Sequence, residues 1–169
     1  MRYLQSLNFL HSIWYLLSPD CMDLEFYPLT VKNHYRLFEF ESVSEHKCIL
    51  KRVVFRVIPS ASNTYNLALV DVLENDVTSD IEISNNADMP KVMSTVIHCL
   101  LRFLDHYPAA AVYIEGNSPS RNRLYRAIIS REFPKVKDFL EIYGMGHRDI
   151  EPFRLETPYD SFLIKRRNL

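Results

Sequence analysis

Only three glycines occur in the chain, Gly116, Gly144 and Gly146, and none precedes residue 116. This is well below the roughly 7% of average usage. Loops that cradle phosphate need glycine, because their backbone adopts φ > 0 and closes on the phosphate. The first two thirds of the chain therefore hold neither a P-loop nor a GxGxxG turn, and ordinary NTPase and dinucleotide-binding architectures are excluded.

The 169 residues, 47% hydrophobic and 24% charged, suit one domain with a core of normal size and leave no room for two. A formal net charge of −1 removes any whole-chain attraction to nucleic acid or anionic membrane, so a basic site must be local. Cys21, Cys48 and Cys99 are odd in number, unevenly spaced and without a CxxC pair. They suggest neither a disulfide framework nor a zinc site, and a reducing, cytoplasmic compartment fits best. The histidines His11, His34, His46, His98, His106 and His147 show no ligand spacing, so no metal is expected.

The apolar stretch Leu7–Leu17 is interrupted by Asn8, His11 and Ser12. It is too short and too polar to span a bilayer, and no A-x-A-like cleavage site follows it. The strand pattern starts just after Met22, so residues 1–21 are expected to be an extension arising from start-site choice, and residues 22–169 the domain. The alternative is an N-terminal helix packed through Leu4, Leu7, Leu10 and Trp14, which have helical spacing.

Within the domain, HYRLFEFESV (34–43) predicts a strand that alternates Tyr35 and Leu37 and, after a shift, Phe38 and Phe40. CILKRVVFRVIP (48–59) predicts a second and YNLALVDVL (65–73) a third, most simply an antiparallel meander. A weak strand is expected around Ile81–Ile83. Asp88 as N-cap with Pro90 in the first turn predicts a helix, whose Met93, Val96, Ile97, Leu100, Leu101 and Leu104 form one stripe ending before Pro108. AAAVYIEG (109–116) predicts a strand, and NSPSRNRLYRAIISREF (117–133) a second helix capped by Ser118 or Ser120. DFLEIYG and DSFLIKR predict two closing strands. The expected fold class is α+β, an antiparallel or mixed central sheet with two main helices.

Two resemblances rest on these segments. YPLT at 27–30, YRLFEFES at 35–42, YNLALVD at 65–71, SNNAD at 84–88 and SRNRLYR at 120–126 resemble the blocks of an uncharacterised bacterial domain family, common in Bacteroidota. The order strands, helix, strand, helix, strand, strand resembles the second half of GNAT-type N-acyltransferases. EGNSPSRNRLYRAIISREF is similar to their segment in which asparagine precedes a helix carrying Leu-Tyr. The second resemblance implies a coenzyme A ligand, with Tyr125 protonating the departing thiolate and Asn117 before the helix. Where those enzymes carry [QR]-x-x-G-x-[GA], this chain holds Asn85, Asn86, Ala87 and Asp88, and the absence of glycine implies a degenerate site.

The residues themselves nominate a phosphate grip formed by Arg121, Arg123 and Arg126 with Asn117 and Ser118 at a positive helix end. Asn85, Asn86, Asp88 and Lys91 form a polar cluster at the first helix, although caps and Asx-turns account for the first three and solvation for Lys91. Glu115, at a strand end, is a candidate general base beside Asp71 and Glu74. Cys99 reads as a small core residue. The expected function is a degenerate GNAT-like domain binding acyl-CoA or another phosphate-bearing ligand, an N-acyltransferase-like transferase if it is an enzyme. The alternative is a non-enzymatic module that engages nucleic acid or protein through the arginine helix, in a bacterial defence or toxin-antitoxin system.

Overall fold

The computed structural model describes residues 25–45, 47–72, 78–79, 88–146 and 149–167. The strands are β1 (Thr30–Lys32), β2 (Leu37–Val43), β3 (Cys48–Val57), β4 (Thr64–Val72), β5 (Thr78–Ser79), β6 (Ala111–Glu115), β7 (Leu140–Met145), β8 (Ile150–Pro152) and β9 (Ser161–Arg166). The helices are α1 (Met89–His106), between β5 and β6, and α2 (Pro119–Val136), between β6 and β7. They build an α+β domain around one mixed sheet ordered β1-β2-β3-β4-β6-β9-β7-β8, with β5 joined to the far end of β4.

The meander β2-β3-β4 forms as its alternation predicts. Phe38 stands opposite Val53, and Val53 opposite Leu69, and both ladders are antiparallel. The shift of phase near residue 37 has a local cause. Asn33, His34 and Tyr35 adopt φ of 48°, 50° and 62°, so Tyr35 belongs to a left-handed turn and the strand begins only at Leu37. The turn is closed by the Arg36 N–H donating to the Asn33 carbonyl (3.1 Å) and by Tyr107 Oη donating to the His34 carbonyl (2.7 Å). Tyr35 stacks on His106 with ring centroids 4.4 Å apart. β1 and β8, three residues each, pair along the two sheet edges. They are too short for alternation to reveal.

β4 and β6 are parallel, joined through α1, and β6 and β7 are both antiparallel to β9. The second crossover, β6-α2-β7, is therefore also parallel. Two such crossovers stepping the same way across a sheet put both helices on one face. A single cavity lined by α1, α2, β4, β6, β7 and β9 agrees. The core fills this face, with Phe55 stacked on Phe103 at 4.0 Å and Tyr65 packed edge-on against Phe103 at 5.0 Å. Each such ring removed from water contributes roughly 1.5–3 kcal/mol.

The stripe predicted for α1 is buried at Met93, Val96, Leu100, Leu101 and Leu104 and half-buried at Ile97, and Cys99 lies wholly in the core. Burial pushes the Cys99 thiol well above its ordinary range. α2 continues past the expected stop at Phe133. Pro134 sits inside its last turn, and the Lys137 N–H reaches back to the Phe133 carbonyl at 3.0 Å. Burying Val136 offsets the one helical bond that proline removes. The expectations at residues 1–21 and at Ile81–Ile83 lie outside the described residues. Among the described residues, no helix is long and apolar enough to cross a membrane.

Candidate functional site

The only parallel ladder between neighbouring strands among the described residues is also incomplete. β4 and β6 pair from Thr64↔Ala111 to Asn66↔Tyr113, and β4 is not joined on that side again until Asp71↔Ser79. Between these points the two strands part. Ligands of open sheets with parallel strands bind beyond the carboxyl ends of those strands, where neighbours diverge. Three residues separate the end of β6 from the start of α2, which lies there.

The turn from β6 into α2 is tightly built. Ser118 Oγ accepts the Arg121 N–H at 3.3 Å and Pro119 occupies the first turn, as the sequence predicts. Sequence reasoning missed Asn122, whose Oδ1 accepts the Gly116 N–H at 2.6 Å across six residues. A Cβ on Gly116 would fall 2.6 Å from that same oxygen. Glycine is required here for close approach of strand and helix, not for a positive φ. Asn117 is exposed on this turn and makes an interaction of its own.

α2 carries polar groups on its buried face. At 100° per residue, Arg121, Tyr125, Ile128 and Glu132 fall along one stripe, and Ile128, Glu132 and Val136 are buried. Arg121 and Tyr125 are half-buried at the start of that stripe. Arg123 and Arg126 point roughly opposite, Arg123 exposed and Arg126 half-buried. The three arginines that the sequence groups together thus divide between two faces. None of them is paired with a carboxylate among the described residues, whereas Arg131, Lys135, Arg154, Lys165 and Arg166 each are. The first turn of α2 also lacks acidic residues, so its positive end is uncompensated there.

Tyr125 lies over the cavity between the helices, and burial raises its hydroxyl above the ordinary phenol range against the opposing charge of Arg121. Glu115 alternates to the other side of β6 from Ile114, which lines that cavity. Glu115 is exposed and accepts the Tyr113 hydroxyl at 2.8 Å. Tyr125 and Glu115 therefore flank the end of β6 from opposite faces of the sheet.

The first helix is differently engaged. Asp88 is its N-cap residue, but its carboxylate makes no capping bond to α1. It accepts the hydroxyls of Tyr27 (2.7 Å) and Ser42 (2.6 Å) instead. Thr95 Oγ1 accepts the Tyr27 N–H at 3.0 Å, and the Tyr27 ring lies 4.7 Å beneath Lys91 Nζ, which pairs with Glu25 at 3.1 Å. Residues 25–27 thus strap the start of α1 to the end of β2 and occupy Asp88 and Lys91. Asn85 and Asn86, like Glu74, lie outside the described residues. Asp71 is buried in an ion pair with Lys51 at 2.5 Å. Among the described residues, no group of three or more His, Cys, Asp and Glu stands together as a metal centre would require.

Comparison with curated proteins and with solved structures returned no match. The model of a family of unknown function, DUF6934, matches residues 23–167, which is nearly the whole chain, and the protein belongs to that family.

Proposed function

We propose that this is a GNAT-like domain of bacterial, cytoplasmic type that binds acyl-CoA or another phosphate-bearing ligand at the parting of β4 and β6. The observation that carries the reading is the β4/β6 ladder that ends at Asn66↔Tyr113 with the start of α2 directly beyond it. The strand order β4-β6-β9-β7 with a helix after β4 and after β6 supports a GNAT-like build. The ligand's phosphate would meet the start of α2, where Asn117, Ser118 and Arg121 supply donors and the helix end is positive.

In an acyl transfer the amine attacks the thioester carbonyl, the C–S bond breaks, and the thiolate takes a proton from Tyr125. A phenol raised by burial is fully protonated at neutral pH and suits that role. The amine would shed its proton to Glu115 or to solvent. The start of α1 adds little, because Asp88 is itself an anion and is held by Tyr27 and Ser42.

A thermal-shift titration with coenzyme A, acetyl-CoA and inorganic phosphate tests the reading, since a ligand that binds only the folded state raises the melting temperature. A saturable shift with coenzyme A that is lost in Arg121→Gln and kept in Arg123→Gln is the expected outcome, as only Arg121 shares a face with Tyr125. Failure of coenzyme A and phosphate to shift the transition would refute it. Arg123 and Arg126, which pair with no carboxylate among the described residues, favour a second reading, a module binding nucleic acid or an acidic protein. Salt-dependent binding abolished by Arg123→Gln with Arg126→Gln is its signature.

A further inference from the structure

The gap between the two helices and the sheet is wholly apolar. Its floor is Leu67, Ile114, Ile142 and Ile164 of the sheet, and its sides are aliphatic side chains of α1 and α2. Tyr125 and Glu132 also stand in the wall, but only their carbon atoms face the space, which exposes no polar surface. The Glu132 carboxylate is met by Arg131 and Lys135 instead. Ile97, Tyr125 and Ile129 are half-buried while the other lining residues are buried. The opening therefore lies between the helices, on the side away from the sheet. Because α1, α2, β4, β6, β7 and β9 all contribute, the gap marks where two helices part over the sheet, not where one side chain is short. Val96 and Val136 hold wall positions at which a leucine would take up part of the space. An empty apolar cavity costs stability in proportion to its volume, and water does not relieve that cost, since it needs polar partners to stay. Hydrocarbon does.

Size and chemistry narrow the occupant. The cavity measures about 70 Å³, less than half of the roughly 150 Å³ in which an apolar cavity accepts benzene. An aromatic ring is too large, and a chain of about three or four carbon atoms is the matching size. A hydroxyl, amine or carboxylate carried inside would lose its water and gain no partner. The polar part of the occupant must therefore remain at the opening, beside Tyr125.

We propose that the gap between the helices seats a short unbranched aliphatic chain of about three or four carbons, the apolar end of a ligand whose polar part stays outside. Such a chain has two sources, the acyl group of the acyl-CoA proposed above or a free short-chain amphiphile. The site itself stands on the cavity alone, and only the first source rests on the proposed function.

Methyl-detected NMR titration of the full chain with propane, benzene and 1,3-propanediol tests it. Propane should shift Met93, Val96 and Ile128 saturably, benzene should be excluded by its size, and the diol, polar at both ends, should not bind. In Val96→Phe, whose ring takes up the space, propane should no longer bind. Val96→Leu intrudes less, should weaken propane binding, and serves if the phenylalanine variant does not fold. Calorimetric titration with coenzyme A, acetyl-CoA and butyryl-CoA identifies the source. A gain of about fourfold per buried methylene, hence about fifteenfold from acetyl to butyryl, lost in Val96→Phe, assigns the chain to the acyl group. Equal binding of acetyl-CoA and butyryl-CoA, with propane still bound, assigns it to a free amphiphile. Failure of every coenzyme A compound to bind, with propane still bound, refutes the phosphate-bearing ligand and leaves the cavity site standing. Silence with propane, benzene binding as tight as that of propane, or undiminished propane binding in both Val96 variants would overturn the proposal.

Discussion

Replacing Gly144 with alanine should cost this protein about 2 kcal/mol, because the Tyr159 ring lies flat against the Gly144 backbone. An ideal Cβ at 144 would sit 2.5 Å from Tyr159 Cδ2 and closer still to two other ring atoms. Carbon atoms pack best at about 3.5–4 Å, so the ring must retreat by roughly 1 Å. It has little room to do so. Tyr159 is 3% exposed, its hydroxyl donates to Glu151 Oε1 at 2.7 Å, and it packs on Phe153 and Phe162 with centroids 5.7 and 6.1 Å away. Forced overpacking of this kind costs about 1–3 kcal/mol, and a rigid Cβ facing a hemmed-in ring belongs near the top of that range. The backbone preference of alanine returns about 0.5–1 kcal/mol, which leaves about 2 kcal/mol. For a chain of this length the melting temperature should fall by about 4–8 °C. The cause is identified by a double-mutant cycle in denaturant. Tyr159→Ala alone should cost about 3–5 kcal/mol, and adding Gly144→Ala to it should cost nothing further, because the obstructing ring is gone. If the two losses instead add within about 0.5 kcal/mol, the overlap does not determine the effect and the reasoning is wrong.

Two other perturbations follow from local structure. Burial, aided by the nearby Arg102 charge, lowers the His98 imidazole below its ordinary 6.5, so the unfolded chain takes up that proton first as pH falls. The stability His98 contributes is present above about pH 6.5 and is lost as pH drops toward its depressed folded value. Melting temperatures between pH 7.5 and 5 should fall less steeply in His98→Gln than in the native chain, and identical slopes would sink this. His34 adopts φ 50°, a conformation that is strained by roughly 1–2 kcal/mol for a residue with Cβ and is free for glycine. Its side chain is exposed and only its carbonyl is engaged, by Tyr107. His34→Gly should therefore be neutral or stabilise by up to about 1 kcal/mol in chemical denaturation, and a loss of more than 1 kcal/mol would contradict the assignment of strain to this turn.

The elements carrying long periodic patterns were legible. The alternation of β2, β3 and β4 and the single stripe of α1 each follow from one buried face per element, and the Ser118-Pro119 start of α2 follows from cap chemistry. Left-handed turns were not legible, because in this chain they are not made by glycine. All five described residues with φ well above zero are Asn33, His34, Tyr35, Asn63 and Glu156, and no described glycine is among them. Asparagine tolerates that conformation locally, but Tyr35 is held there by its stack on His106 and by the Tyr107 bond to its neighbour, contacts more than seventy positions away in sequence. Two of the three glycines answer a different need. At 116 and 144 they admit Asn122 and Tyr159 against bare backbone, which depends on which side chain folds over the strand.

The site was half legible for the same reason. Sequence marks the arginines of α2 but cannot say which face is inward when that face itself carries charge. The helix reads as polar nearly all round, and its buried stripe runs from Arg121 through Tyr125 and Ile128 to Glu132. Only docking against Leu67, Ile114 and Ile142 of the sheet shows that Arg121 shares the inner stripe while Arg123 and Arg126 turn away. Likewise Asp88 has the type and position of a cap, and its carboxylate goes to Tyr27 and Ser42 because these two hydroxyls, from a strap and a strand end, converge on it. The inner face of α2 therefore has a direction. It is cationic where the helix begins, at Arg121, and eleven residues on, about 16 Å along the axis at 1.5 Å per residue, it carries Glu132, whose carboxylate is met by Arg131 and Lys135. The inner face therefore favours an anion at its first turn, the end that meets the parting of β4 and β6, and not at its far end.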